Sequence, residues 1–190
     1  MTLKTFFNAV SPLHDQTWKT IEPLFRVATL RQYEHFISVN EKATDIAFLE
    51  SGIVRAYFAD KKGQEYNKQF FVGPSVIGAY TSLLTGQPNQ IAQQALSDCV
   101  IHTLPYQEIT SRYDKFPDLE RLARKMAEYY FLEKEKKELE IVLLNATARY
   151  DIFQKEFPGI EQHITQYHVA SYLGITPIQL SRIRHPGAGK

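Results

Sequence analysis

The side chains best suited to chemistry lie between Thr165 and Arg184, where amide, hydroxyl and guanidinium groups recur every few residues. Arg182 can donate two hydrogen bonds to the O6 and N7 atoms of a guanine, and Gln179 can hydrogen-bond an adenine or a phosphate. Hydroxyl and amide groups at the starts of helices are suited to phosphate oxygens. The residues that this pattern predicts to contact DNA are Thr165, Gln166, Thr176, Ile178, Gln179, Ser181, Arg182 and Arg184.

Two short helices would present these side chains. Thr165 is a good N-cap for a first helix that runs to Leu173, and Gly174 provides the positive φ that a tight turn needs. Thr176 and Pro177 provide an N-cap and a first-turn proline for a second helix. The residues predicted to face inward are Val169, Ala170, Leu173, Ile175, Leu180 and Ile183. The pattern predicts a helix-turn-helix, and a plain helical hairpin, which uses the same caps and apolar stripe, is the alternative.

Composition limits the other classes of function. Hydrophobic residues make up 44% and charged residues 23% of the 190 residues, as in an ordinary globular protein. The single cysteine, Cys99, excludes an internal disulfide, a cysteine-ligated iron–sulfur cluster and a Cys₄ zinc site. The N-terminus lacks a signal-peptide pattern, and no apolar run approaches the roughly 18 residues of a membrane span. We therefore expect a cytoplasmic protein that does not bind membranes.

The charge is balanced overall, with a formal net charge of +1. From Ile141 onward there are five basic and three acidic residues, a charge of +2, which leaves −1 for the first 140 residues. A non-specific phosphate binder usually has a strong basic excess. Any contact with DNA must therefore be local.

Most of the chain before the C-terminal motif has a β pattern. Short β-prone runs between turn residues are typical of an antiparallel sandwich or barrel. The predicted strands are Val27–Leu30, His35–Val39, Ile46–Leu49, Ile53–Ala59, Tyr66–Val72 and Val100–Leu104. Residues 3–25 instead have helical spacing, and Pro12 interrupts them, which predicts short helices packed on the strands.

A long helix is predicted from Asp118 to about Glu140, because this stretch contains neither glycine nor proline. It has an apolar stripe of Leu119, Leu122, Met126, Tyr129 and Tyr130, and a dense run of mixed charges at 133–138. The charges alone would suit a solvated helix face with internal ion pairs. The length, more than ~30 Å, favours a helix that pairs with a second copy of the chain. A further helix is predicted over Ala146–Phe157.

With strands, a long helix and a helix-turn-helix in this order, the chain resembles the Crp–Fnr family of bacterial regulators, which includes the cyclic-AMP receptor protein. The matching stretches are 39–54, 60–63 and 71–78, and the resemblance extends from Leu24 to Arg184. The segments 144–150 and 173–177 are most similar to relatives that have lost the cyclic-nucleotide signature. The resemblance implies transcription regulation by a homodimer that binds a palindromic operator in double-stranded DNA.

The resemblance also implies an α+β fold in three parts. Residues 1–115 would form a double-stranded β-helix sensor, a jelly roll of the cyclic-nucleotide-binding type. Residues 116–140 would form the linker helix, with dimerisation through 118–140, and residues 141–190 would form the helix-turn-helix domain. A ligand-binding sensor that no longer binds DNA is the alternative function.

The family's phosphate cassette has a Gly-Glu-Leu whose glutamate binds the ribose hydroxyl, and, further along the chain, an arginine that pairs with the cyclic phosphate. This sequence has Gly78-Ala79-Tyr80 and Asn89 at those places. Without the two charged groups, tight binding of cyclic AMP is not expected. The remaining polar groups suit a neutral or weakly charged effector, or line a sensor that binds none. The residues predicted to contact a ligand are Gly78, Ala79, Tyr80, Thr81, Ser82, Asn89 and Gln90.

No enzymatic activity, cofactor or metal site is predicted. A cupin-type enzyme needs clustered histidine and glutamate ligands, including a His-x-His, and the sequence contains no His-x-His, nucleophile motif or P-loop. His35 and His102 could face inward from strands, although a lone strand histidine is usually an ordinary core or surface residue. Pro186 predicts that the last helix ends near Arg184. The tail after it resembles a flexible end more than a β-wing.

Overall fold

A computed structural model describes residues 1–185 of the chain. The α-helices are α1 (Leu3–Val10), α2 (Asp15–Ile21), α3 (Tyr80–Thr85), α4 (Tyr106–Thr110), α5 (Pro117–Leu143), α6 (Ala146–Glu156), α7 (Gln166–Leu173) and α8 (Pro177–Arg184). The strands are β1 (Arg26–Leu30), β2 (His35–Ile37), β3 (Asp45–Ser51), β4 (Ile53–Ala59), β5 (Glu65–Val72), β6 (Ser75–Ile77), β7 (Ala92–Ala95) and β8 (Cys99–Pro105). Short 3₁₀ turns lie at Glu22–Leu24 and Ile160–Gln162.

The strands form two four-stranded sheets, in the orders β1-β8-β3-β6 and β2-β7-β4-β5. The β1–β8, β3–β8, β3–β6 and β2–β7 pairs are antiparallel. Strand β3 lies between β8 and β6, so that Phe48 is opposite both His102 and Val76. Strands distant in sequence are thus neighbours in a sheet, as in a jelly roll. The predicted α+β class is confirmed.

The chain divides into two compact units. The barrel unit contains Met1–Ala56 and Phe70–Leu132, and the helical unit contains Tyr57–Gln69 and the chain from Glu133 onward. This division differs from the expected three parts in two respects. Helix α5 is shared between the units, and the turn end of the β4–β5 hairpin belongs to the helical unit.

The core of the barrel unit explains the helical spacing at the N-terminus. Ile21 is fully buried and Phe48 is 1% exposed, and they belong to one apolar cluster with side chains from α1, α2, β8 and α5. A second cluster lies between the sheets and contains Leu49, Val54 and Ile77. The N-terminal helices therefore complete the barrel core, because their apolar faces have no other cover within the unit.

Buried Asp118, in the first turn of α5, holds the N-terminal segment of the barrel unit. One oxygen of its carboxylate accepts the backbone N–H of His14 at 2.8 Å, and the other accepts the hydroxyl of Thr17 at 2.9 Å. Burial alone raises the pKa of Asp118, but these hydrogen bonds outweigh it, so that the pKa lies below its ordinary value. The ionised carboxylate therefore stabilises the fold.

All six predicted strands are present, although the second ends at Ile37 instead of Val39. Strands β6 and β7 were not predicted. Strand β7 reads Ala-Gln-Gln-Ala, and alanine has a low preference for strands, so local sequence gave little signal. Helix α5 extends to Leu143, and the last helix ends at Arg184 as expected. The predicted tail at 186–190 lies outside the described residues.

Candidate DNA-binding site and sensor cassette

Helices α7 and α8 pack through the residues predicted to face inward. Val169 and Leu180 are fully buried, and Ala170 and Leu173 are 1% exposed. Gly174 has a φ of 67°, which an L side chain rarely adopts, and its N–H bonds back to the end of α7. Thr176 and Pro177 occupy the N-cap and first helical position of α8. The two helices and their turn therefore form the predicted helix-turn-helix geometry.

The start of α8 is closed by a reciprocal capping box between Thr176 and Gln179. The hydroxyl of Thr176 accepts the backbone N–H of Gln179 at 3.2 Å. Oε1 of Gln179 accepts the backbone N–H of Thr176 at 2.9 Å and the hydroxyl of Thr176 at 3.2 Å. Two residues predicted to contact DNA are thus bonded to each other.

The end of α8 is held by Arg184, which the sequence also predicted to contact DNA. Its guanidinium forms an ion pair with Glu161 and donates to the hydroxyl of Tyr150 at 3.2 Å. The same hydroxyl lies 3.1 Å from a carboxylate oxygen of Glu161 and accepts the amide of Gln154 at 3.0 Å. Partial burial lowers the pKa of Arg184, but Glu161 and Tyr150 more than offset this and raise it. Arg184 therefore fastens α8 to the helical unit.

Between the two ends, α8 presents an open polar face. Ile178 is 67% exposed, and Ser181 and Arg182 are also exposed. Within residues 1–185, the guanidinium of Arg182 has no hydrogen bond or ion pair. At the start of α7, Thr165 and Gln166 are exposed, and Thr165 is the N-cap residue although its side chain does not cap the helix. Of the predicted contact residues, these five leave their whole side chains available to a partner, and Gln179 leaves its amide nitrogen available.

The β4–β5 hairpin supports α7 within the helical unit. Ser171 on α7 donates its hydroxyl to the backbone carbonyl of Glu65 at 2.7 Å and accepts the backbone N–H of Asn67 at 3.0 Å. The amide of Asn67 donates to the backbone carbonyl of His168 at 3.0 Å. Sequence reasoning did not find this contact, since its partners lie over 100 residues apart. Asn67 gave no distinct signal in the sequence, because Lys68 and Gln69 beside it in β5 are polar as well.

In the barrel unit, Asn89 is the residue that the resemblance to the Crp–Fnr cassette matches with its arginine. It is 7% exposed. Its amide nitrogen donates to the backbone carbonyls of Ser38 at 3.3 Å and Ile91 at 2.5 Å, and its oxygen accepts the N–H of Ile91 at 3.2 Å. The backbone of Asn89 also bonds to Asn40 and Glu41, both at 2.7 Å. Asn89 therefore fastens the loop before β7 to the loop after β2.

The rest of the predicted cassette is divided between buried and exposed positions. The hydroxyl of Ser82, 3% exposed, donates to the carbonyl of Gln87 at 2.6 Å and accepts the N–H of Ala43 at 3.0 Å. Ala79 is buried, and Gly78 accepts a hydrogen bond from another buried residue, discussed below. The exposed members are Tyr80, Thr81 and Gln90. The cassette does not bring its predicted ligand contacts to one open polar surface.

Gln93, on β7, is the buried residue that bonds to the cassette. Its amide nitrogen donates to the carbonyl of Gly78 at 3.0 Å. Its oxygen, Oε1, has no hydrogen-bond partner within the described residues, and the side chain is 4% exposed. A buried unpaired acceptor is costly, by about 1–3 kcal/mol. Gln93 therefore links β7 to Gly78 and keeps one buried acceptor without a partner in the described chain.

The sequence matches no protein-family model and no curated protein. Solved structures are similar. FixK2 from Bradyrhizobium japonicum has a TM-score of 0.75 at 17% identity, over 85% of this chain and 83% of that chain. A transcriptional regulator of the Crp/Fnr family from Eubacterium rectale has a TM-score of 0.73 at 15% identity, over 90% and 82%. The c-di-GMP responsive global regulator CLP of Xanthomonas campestris has a TM-score of 0.71 at 12% identity, over 90% and 89%.

The chain has the Crp–Fnr fold. In this fold, the apolar stripe predicted on α5 is divided. Leu119 and Leu122 are buried in the barrel unit, Met126 packs against the same cluster, and the hydroxyl of Tyr130 donates to the backbone carbonyl of Val76 at 3.0 Å. Burial raises the pKa of Tyr130 to about 12. The first half of α5 thus packs within its own chain.

The second half of α5 exposes a different set of apolar side chains. Leu132, Leu139 and Leu143 are 62%, 59% and 72% exposed. Their spacing of seven and four residues places them on one helix face. The charged residues between them form ion pairs with one another, such as Lys134 with Glu138 at 3.4 Å. The predicted charged face with internal ion pairs is therefore present, whereas most of the stripe predicted to pack on a second copy of the chain packs within its own chain.

The histidines have ordinary surroundings. His102 Nε2 lies 2.6 Å from a carboxylate oxygen of Glu50, and His35 is exposed on β2. Among residues 1–185, no three His, Cys, Asp or Glu side chains are grouped so that they could hold a metal ion. In the same part of the chain, no helix has both the length and the apolar character needed to cross a membrane.

Proposed function

We propose that the chain is a transcription regulator that binds double-stranded DNA as a homodimer, with α8 as the recognition helix. The observation that carries this proposal is that the side chain of Arg182 is exposed and unpaired within the described residues. The rest of α8 is held by its own chain, through the buried Leu180, the capping box at the start and the ion pair of Arg184 at the end. The solved structures with the same fold include a regulator of the Crp/Fnr family, which supports this role.

Arg182 is suited to reading guanine. Its guanidinium can donate to both O6 and N7 in the major groove, and a bidentate pair of this kind is worth about 1–3 kcal/mol of discrimination. The exposed side chain of Ile178 offers an apolar contact to a thymine methyl group. Thr165 and Gln166 would contact phosphate oxygens, which position the helix without selecting a sequence.

The dimer would form through the second half of α5. Leu132, Leu139 and Leu143 form an exposed apolar stripe, and two such stripes can bury each other in a parallel helix pair. A two-fold dimer presents two recognition helices to successive major grooves, about 34 Å apart. The operator would then be palindromic. Sedimentation velocity should show a dimer for the wild type and a monomer for Leu139→Glu.

The barrel unit would respond to an uncharged effector or to none. The Crp–Fnr phosphate cassette relies on charged groups, and here Ala79 and Asn89 stand in their places. Asn89 is also fully engaged with Ser38 and Ile91. An effector would be a molecule with a hydrogen-bond donor, because Oε1 of Gln93 is a buried acceptor without a partner in the described chain. Isothermal calorimetry should detect no micromolar affinity for cyclic AMP.

The test of DNA binding is a selection from random duplexes with the wild type, Arg182→Ala and Arg124→Ala. Arg124 is a matched control, since it is an exposed arginine paired with Glu128 on α5. We expect the wild type and Arg124→Ala to enrich one palindrome, and Arg182→Ala to lose a guanine preference in each half-site. A wild type that enriches no palindrome would contradict the proposal and favour a sensor that does not bind DNA.

A further inference from the structure

The capping box of α8 determines how Gln179 can meet DNA. Oε1 of Gln179 accepts two hydrogen bonds from Thr176, one from the backbone N–H at 2.9 Å and one from the hydroxyl at 3.2 Å. The amide nitrogen, Nε2, has no partner within the described residues, and the residue is exposed. Gln179 therefore presents a donor to a partner while its acceptor is occupied.

A glutamine that reads adenine needs both atoms of its amide. Oε1 must accept from adenine N6 while Nε2 donates to adenine N7. In this helix the first of these bonds would require Gln179 to leave the cap. The backbone N–H of Thr176 would then lose its acceptor, although the hydroxyl of Thr176 would still cap the N–H of Gln179. The lost bonds of the capping box would offset part of the selectivity for adenine.

Adenine and guanine both present the N7 acceptor in the major groove. A single donor at Nε2 can bond to either purine, and it can equally bond to a phosphate oxygen. Arg182 lies three residues further along α8, on the same side of the helix. The cap holds the first turn of α8, and Arg182 lies in the next turn.

We propose that Gln179 is a positioning residue that adds affinity for DNA without selecting adenine. It keeps Oε1 on the cap, donates from Nε2 to an acceptor that different sequences share, and leaves the choice of guanine to Arg182. This inference rests on the proposed function, because it concerns the same recognition helix.

The test compares Gln179→Glu, Gln179→Ala and a control, Ser181→Ala, which changes an exposed side chain of α8 outside the cap. Glutamate can keep the capping box but has no donor, whereas alanine loses both. Thermal unfolding should therefore show the wild type, Gln179→Glu and Ser181→Ala close together and Gln179→Ala lower. Hydrogen exchange of the Thr176 amide should be faster in Gln179→Ala alone.

Selection from random duplexes and titration of the selected operator give the second readout. We expect the wild type and both Gln179 variants to enrich the same consensus. Gln179→Ala should bind it about fivefold more weakly, as for one lost hydrogen bond. Gln179→Glu should bind more weakly still, because its charge faces phosphates. Fixed duplexes with neutral methylphosphonates along the backbone separate a phosphate contact from a base contact. If Nε2 contacts a phosphate, the difference in affinity between the wild type and Gln179→Ala should disappear on these duplexes. If Nε2 contacts a base, the difference should remain.

Three outcomes would count against the inference. An adenine preference in the wild type that both Gln179 variants lose would overturn it. Equal stability and equal Thr176 exchange in the wild type and Gln179→Ala would overturn the capping role. If the capping differences appear but the wild type enriches no consensus, the proposed function fails and Gln179 is confined to stabilising α8.

Discussion

The cassette of the barrel unit and the helix-turn-helix of the helical unit use their polar side chains in opposite ways. In the cassette, Asn89 and Ser82 are buried, and the chain itself satisfies their polar groups. In the helix-turn-helix, the interior is apolar, and Arg182 lies exposed without a partner in the described chain. Of these two regions, only the second leaves a charged side chain available to a partner.

This difference shows that a polar side chain stabilises the fold when it is buried and bonded, and is available for binding when it is exposed and unpaired. A buried hydrogen bond network fixes the relative positions of loops, because breaking it exposes unpaired groups to a low dielectric. An exposed guanidinium adds little to stability and is available for recognition. Changes in the cassette should therefore alter stability, whereas changes on the exposed face of α8 should alter binding.

The largest effect is expected when the apolar interior of the helix-turn-helix is changed. Leu180→Ala removes a fully buried side chain and should lower the free energy of unfolding of the helical unit by about 2–5 kcal/mol. Hydrogen exchange should show faster opening of α7 and α8. Ile178→Ala is the control, since Ile178 is 67% exposed on the same helix. Equal effects of the two changes would contradict the assignment of inward and outward faces.

The buried polar character of the cassette can be tested at Asn89. Asn89→Ala leaves the carbonyls of Ser38 and Ile91 without their donor and should destabilise the barrel unit by about 1–3 kcal/mol. Urea unfolding followed by tryptophan fluorescence reports on this unit, because Trp18 lies in its core. Gln90→Ala changes an exposed neighbour and should have little effect. If Asn89→Ala leaves the free energy of unfolding unchanged, the hydrogen bonds of Asn89 do not stabilise the cassette.

Acid should weaken the barrel unit through Asp118. Its folded pKa is lowered, so its contribution is present above the unfolded value, near 4, and is lost as the pH falls through the folded value. Asp118→Asn should reduce stability at pH 7 by about 1–2 kcal/mol and flatten the loss of stability below pH 4. Urea unfolding at several pH values measures both. Asp15→Asn, at an exposed carboxylate, is the control and should keep the acid dependence.

The smallest effect on stability is expected from the two arginines of α8. Arg184→Met removes a partly buried ion pair with Glu161 and should destabilise the helical unit by about 1 kcal/mol or less. Arg182→Met should leave the unfolding temperature unchanged and lower the preference for guanine in the operator by about 1–3 kcal/mol for each half-site. Thermal unfolding and operator titration, done on both variants, separate the roles. A larger loss of stability in Arg182→Met than in Arg184→Met would reverse the assignment.

Much of the fold follows from local sequence. The N-cap positions of Thr165 and Thr176, the turn at Gly174 and the burial of Val169, Ala170, Leu173 and Leu180 were predicted, because each depends on residues a few positions apart. Strand β7 was not predicted, since its place in the sheet depends on β2 and β4, which are distant in sequence. The division of the α5 stripe was likewise set by which of its apolar residues reach the barrel core.

The sequence by itself determined the residue types on α8, the uncharged side chains at Ala79 and Asn89, and the succession of a β-rich part, a long helix and a helix-turn-helix. The tertiary structure alone decided which side chains remain available. Gln179 is engaged by a cap, Arg184 by Glu161, and Asn89 by loops on either side of it. The physical reason is that a donor or acceptor forms a hydrogen bond only with a complementary group that lies within about 3 Å. For groups such as Arg184 and Asn89, only the folded chain brings those partners together.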